Sequence, residues 1–144
     1  MSKIKLSKNQ VEVLWEATVR YYEPDPQGVM YNANHVAFFD QAITAYFKHV
    51  NYDYLSDIEE TKKDFHTVQV LVQYNKPLYF DQDIEIGVKV KEIGNSSMTW
   101  IKGMFLKEAG DLVSSCEAVH VYTDQTTMKP TPITDELKAK LKFN

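Results

Sequence analysis

The sequence predicts an α+β fold, one long helix laid against an antiparallel sheet, and three observations predict it. Val36, Phe39, Ile43, Phe47 and Val50 recur at helical spacing. Val68, Val70, Val72 and Tyr74, and later Ile84, Ile86, Val88 and Val90, recur at every second position, the period of a strand. Turn-forming clusters at Gly94-Asn95-Ser96-Ser97 and Glu108-Ala109-Gly110-Asp111 cut the second half into short runs of the kind that pair with their neighbours.

Taken in order, Val11 to Tyr21 is rich in Val, Trp and Thr and predicts a first strand. Glu23-Pro24-Asp25-Pro26-Gln27-Gly28 holds two prolines and a glycine and must be a turn or loop. The helix follows, beginning between Asn32 and Asn34, either of which suits an N-cap. Asp40 lies within roughly 60° of the centre of its apolar stripe, where an acid needs a partner. After a polar connection through Lys62-Lys63-Asp64 come four strands, the last two near Met98 to Leu106 and Leu112 to Thr123, read as an antiparallel meander. Thr134-Asp135-Glu136 opens a short terminal helix, with Lys138, Lys140 and Lys142 placed to complement its dipole. A sheet of this size with one helix to cover it is expected to assemble through an edge or a face.

The bulk properties narrow the function. The 144 residues amount to one domain, 1–144, of ordinary globular composition, 44% hydrophobic and 25% charged. A net charge of −4 argues against nucleic acid as a partner, although local lysines remain able to hold a small anion. One cysteine, Cys116, rules out an intramolecular disulfide and reads as a small core residue. His35, His49, His66 and His120 show no metal-binding spacing, so neither a metal nor a cofactor is expected. The polar, lysine-rich start lacks a signal sequence and no apolar run reaches membrane-spanning length, so a cytoplasmic location without a membrane span is expected. No G-x-S-x-G, P-loop or dinucleotide fingerprint is present.

Asp25 is the residue of most chemical interest. By pattern it is a turn aspartate between prolines, or a carboxylate held beside a helix N-terminus whose free N–H groups polarise a carbonyl. Asp40 is either a second acid at such a site or a structural partner for a buried or intersubunit group. Asn32 is most simply an N-cap.

The segment V-R-Y-Y-E-P-D-P-Q-G-V-M-Y-N-A-N-H-V-A-F-F-D, Val19 to Asp40, resembles the active-site signature of 4-hydroxybenzoyl-CoA thioesterase-like hotdog proteins. Its aspartate, glycine, apolar pair and aromatic fall on Asp25, Gly28, Val29-Met30 and Tyr31. The run Gln73 to Ile86 and the Gly94 to Ser97 turn look like the family's second and third strands, so the resemblance covers roughly Val11 to Pro132. It implies a hotdog fold, a five-stranded antiparallel sheet wrapped around a long central helix, assembled as a homodimer or homotetramer. It implies hydrolysis of an acyl-CoA or acyl-carrier-protein thioester, with Asp25 as nucleophile or general base. The Asn32 backbone N–H would bind the thioester oxygen, with Gly28, Tyr31, His35 and Asp40 on the substrate side. Many bacterial members carry His where this chain has Asn32, an aromatic where it has His35, and Thr or Cys where it has Pro24. The missing His keeps a second reading open, a hotdog module that binds acyl ligands or a protein partner without catalysis.

Overall fold

The computed structural model describes residues 3–142. After a short 3-10 turn at Lys8–Gln10 come β1 (Glu12–Thr18), α1 (Asn32–His49), α2 (Tyr54–Thr61), β2 (Lys63–Tyr74), β3 (Asp83–Ile93), β4 (Ser97–Leu106), β5 (Leu112–Asp124), β6 (Lys129–Pro130) and α3 (Asp135–Leu141). The sheet runs in the order β1-β3-β4-β5-β2, every pairing antiparallel, with the two-residue β6 added beside the end of β5.

The inner face of this sheet packs on α1, as the sequence predicts. Phe38, Phe39, Ala42, Ile43, Tyr46 and Phe47 are buried from the helix, against Ile84, Ile86, Val88, Trp100 and Met104 from the strands. Aromatic edges lock the contact. Trp100 meets the Tyr46 ring edge-on at 5.1 Å, and Trp15 of β1 meets Phe38 at 5.4 Å. Tyr46 also donates from its hydroxyl to the Leu141 carbonyl at 2.6 Å, tying the end of α3 to the last turn of α1. Cys116 is buried in this core, as expected of it.

Three expectations change. The strands are not one meander: β3, β4 and β5 follow one another, but β2 crosses to the far edge and pairs with β5. Hydrophobic period identifies a strand without naming its neighbour, so the crossover was invisible. The polar connection before Lys62 is largely helix α2, capped where the Asp53 carboxylate accepts from the Ser56 N–H at 3.1 Å and ended by Lys62 at φ +58°. The N-cap of α1 is Tyr31, not Asn32, so Asn32 is the first residue inside the helix. Asn34 instead turns its side-chain amide back, donating to the Glu23 carbonyl at 3.1 Å. Among the described residues, no helix is long and apolar enough to cross a membrane.

The outer face of the sheet is crossed by the N-terminal segment. Lys3 donates from Nζ to the Tyr74 carbonyl at 2.8 Å, and the Ile4 N–H to Oε1 of Gln73 at 2.7 Å. Lys8 reaches Glu85 on β3 at 2.6 Å. The segment lies this close because Gly87 and Gly103, paired across β3 and β4, present no Cβ on that side. A Cβ on Gly103 would sit 2.7 Å from the Leu6 side chain, and one on Gly87 would collide with Val11. Gly87→Ala is therefore expected to destabilise by about 1–3 kcal/mol through overpacking, seen as a drop of several degrees in Tm. Combining it with Val11→Ala should restore much of the loss.

Candidate active site

The loop ahead of α1 is held by short backbone bonds. Asp25 N–H donates to the Val29 carbonyl at 2.8 Å and Gly28 N–H returns to the Asp25 carbonyl at 2.9 Å, closing a tight turn. Gly28 sits at φ +83°, a conformation that L side chains rarely adopt, which explains a glycine there. Pro24 bridges to Met30 and Val29 to Tyr79, so the turn is stitched to itself and to the segment before β3. Glu23 anchors the base of the loop. Its buried carboxylate accepts from the Arg20 N–H at 2.7 Å, and its carbonyl accepts from the Tyr31 N–H at 3.0 Å. The Arg20 guanidinium lies 3.3 Å from the same carboxylate, and that hydrogen bond raises the arginine's own affinity for its proton.

Asp25, Asn32 and His35 come together in one cleft of about 310 Å3, with Tyr74, Asn75 and Lys76 on the opposite wall. Asp25 Oδ1 accepts from the Gln27 N–H at 2.8 Å, which fixes the carboxylate's rotamer. Asn32, as the first residue of α1, contributes one of the N–H groups that a helix leaves without an internal acceptor. The positive end of the helix dipole thus opens beside a carboxylate, an arrangement able to hold a carbonyl oxygen while the acid works on its carbon. Metal-binding clusters of His, Cys, Asp and Glu are absent among the described residues.

His35 is buried, with its Nδ1 2.8 Å from the Ser114 hydroxyl of β5 and its ring edge-on to Tyr74 at 4.9 Å. Burial pushes its pKa down to about 4, so it is a neutral imidazole near pH 7. Tyr74 donates from its hydroxyl to the Asn32 carbonyl at 2.8 Å, bracing the first turn of α1. Neither Ser114 nor Tyr74 stands out in the sequence. Both sit on strands whose neighbours are decided only when the sheet closes.

The remaining candidates sit elsewhere. Tyr31 caps the helix with half its surface exposed, and Gly28 shapes the turn rather than lining the cleft. Asp40 projects two turns along α1, its side chain 69% exposed and 3.9 Å from the ammonium of Lys102. Lys102 is the partner that the acid on the apolar stripe required. It stands on the inner face of β4, 1% exposed, and burial lowers its pKa. A single lysine in an apolar strand gives no sign of which face it takes until the register is known.

A thioesterase-like superfamily model matches residues 19–141. The acyl-CoA thioester hydrolase YbgC of Escherichia coli O6:H1 is 26% identical over 128 residues, covering 89% of this chain and 94% of the relative. A putative acyl-CoA thioesterase, YneP of Bacillus subtilis strain 168, is 26% identical over 125 residues, covering 87% of this chain and 85% of its own. Among solved structures, the PA5185 protein of Pseudomonas aeruginosa PAO1 superposes with a TM-score of 0.80 at 26% identity, covering 94% of this chain and 92% of that one. The α+β hotdog arrangement is thus found in the structure and in its neighbours alike. With the match running from the end of β1 to the last turn of α3, the chain belongs to the thioesterase-like superfamily.

Proposed function

We propose that this protein is an acyl-CoA thioesterase whose reaction takes place in the cleft between the Asp25 loop and the start of α1. The observation that carries the reading is the shared cleft of Asp25 and Asn32, a carboxylate facing the open N-terminus of an 18-residue helix. The activities named for YbgC and YneP support the same class. The thioester carbonyl oxygen accepts from the Asn32 N–H, which draws charge from its carbon. Asp25 then acts in one of two ways. As general base it takes a proton from water, whose hydroxide adds to the carbonyl; collapse expels the CoA thiolate, which recovers the proton. As nucleophile it forms a mixed anhydride, releasing the thiolate, and water then cleaves the anhydride. Neutral His35, held by Ser114, keeps the cleft floor uncharged and polar, and Tyr74 fixes the helix start that aims the Asn32 N–H. An acyl-carrier-protein thioester presents the same reacting atoms, so the thiol carrier is a second variable of the same reading.

The native unit in this proposal is a homodimer built on β2. That strand forms the sheet edge opposite β1, and Val68 and Val70 stand 60% and 42% exposed along it. A long edge with apolar side chains and unpaired backbone groups is stabilised by a second copy of the same edge.

Asp25→Asn keeps the turn's shape and removes the base, and loss of an acid–base group costs about 10²–10⁴ in rate. Thiol release from a panel of acyl-CoAs should fall by at least that lower factor with an unchanged melting curve; near-normal turnover would refute the mechanism. Val70→Lys should shift the mass in light scattering from dimer toward monomer. His35 also sets a pH dependence. Its pKa is about 4 folded against an ordinary 6.5 unfolded, so its contribution is fully present above 6.5 and is lost as pH falls from there toward 4. Chemical denaturation between pH 7 and 4.5 should show that loss, on the order of 2–3 kcal/mol for this one ring. In His35→Gln the slope should flatten by a comparable amount.

A further inference from the structure

A second and larger cavity, about 500 Å3, lies between α1, α2 and β2. Its walls are the rings of Phe47, Tyr52, Tyr54 and Phe65, with Thr44 and His120. The tyrosine hydroxyls are engaged elsewhere: Tyr52 donates to Asp57 at 2.6 Å and Tyr54 to Asp64 at 2.5 Å, so both present ring faces and edges to the cavity. Phe47 and Tyr54 stack with centroids 5.3 Å apart, and Tyr52 meets Phe47 edge-on at 5.0 Å. The rings thus form an aromatic wall on one side of a half-open cavity.

Cleft and cavity are two ends of one line. Along α1, Asn32 and His35 line the cleft while Thr44 and Phe47 line the cavity. β2 runs the other way beside it, with Tyr74 at the cleft and Thr67 and Phe65 at the cavity. Between them Val72 and Val70 pair with Cys116 and Ala118, and so face the same side of the sheet as these buried residues. From Asn32 to Thr44 the helix rises about 18 Å, at 1.5 Å per residue, which is the reach of a long acyl chain.

Of the polar side chains that line it, Asp40, Thr44, Lys48, Asp53 and Thr67 are exposed, and His120 is the buried one. His120 is 7% exposed, and its Nδ1 accepts from the indole N–H of Trp100 at 3.2 Å. Because indole can only donate, Nδ1 is the bare nitrogen and the proton sits on Nε2. That N–H has no acceptor among the described residues, although the ring lines the cavity. Burial, aided by the nearby Lys102 cation and partly opposed by Asp64, holds the ring's pKa down at about 4, so it remains a neutral donor near pH 7.

We propose that this cavity receives the far end of the acyl chain, and that it selects acyl groups whose tail carries an oxygen acceptor for the Nε2–H of His120. The inference rests on the thioesterase reading and adds the substrate class to it. A saturated tail fills the aromatic walls but strips water from the Nε2–H and returns nothing. A tail hydroxyl or carbonyl replaces that water. A site that hydrogen-bonds its substrate rejects the analogue lacking the group, because its own polar atom is left unpaired.

The test compares tetradecanoyl-CoA with ω-hydroxytetradecanoyl-CoA, and both with butanoyl-CoA, by thiol release. The wild-type protein should favour the hydroxylated chain in kcat/KM by about tenfold or more. His120→Leu should abolish that preference, and His120→Gln, which keeps a donor and is the safer variant for folding, should retain part of it. Thr44→Trp, placed on the exposed side of the cavity, should lower the ratio of long-chain to butanoyl turnover at least tenfold. Equal rates for the two long chains in the wild type would overturn the proposal while leaving the thioesterase reading intact. So would a Thr44→Trp variant that changes the oligomer's mass but not its chain preference, since the cavity would then belong to a second copy. If no acyl-CoA is hydrolysed, the reading fails, and calorimetry with ω-hydroxytetradecanoic and tetradecanoic acids judges the cavity by itself. Tighter binding of the hydroxy acid, lost in His120→Leu, upholds the proposal; equal binding or none overturns it.

Discussion

The seating of α1 on the inner face of the sheet is the constraint from which the rest of this structure follows. Phe39, Ala42 and Tyr46 are almost wholly buried there, and Trp100 from β4 wedges against Tyr46 and Phe47. Each large buried side chain of this kind contributes about 1.5–3 kcal/mol, so the helix has little freedom to slide or rotate. Because its axis is set by packing, its N-terminus is set too. The loop from Glu23 to Met30 then needs only short backbone bonds to bring Asp25 to that end. The geometry of the candidate site is thus held by core burial some distance away, with the loop as a spacer of defined shape.

The same packing explains where polar groups stand. The helix covers most of the inner face, and what it leaves beside β2 is a line of half-enclosed space with polar side chains at intervals. His35 is bound to Ser114, His120 to Trp100, and Lys102 faces Asp40. Burial drives all three bases toward their neutral forms. The two histidines supply hydrogen bonds without charge. Lys102, by contrast, keeps a carboxylate at the edge of the apolar stripe, and the pair marks the boundary between covered and open helix surface.

The outer face is closed by different means. There the N-terminal segment lies flat because Gly87 and Gly103 remove the side chains that would lift it. The segment is fastened at one end to Gln73 and Tyr74, the strand end that also braces the first turn of α1. Inner and outer coverings therefore meet at the same strand terminus, beside the cleft.

Much of this was legible in the sequence. Period located α1, β2 and β3, because local spacing reports which side of an element is buried; β-forming composition, turn clusters and a capping threonine located the other strands and α3, and the two prolines around Asp25 marked the loop. The resemblance around Val19 to Asp40 pointed to the superfamily that the comparisons show. What no local pattern carries is adjacency. That β2 lies beside β5, that Ser114 meets His35, that Tyr74 braces Asn32, and that Lys102 answers Asp40 all depend on register between strands far apart in the chain. Helix α2 was hidden because its eight residues are too few for Tyr54, Leu55 and Ile58 to establish a helical period, and its Asp53 cap marks its start only once the structure is seen. The sequence by itself determined the elements and the chemistry available to them. The tertiary structure decided which side chains share a space, because that depends on how the sheet closes over one helix.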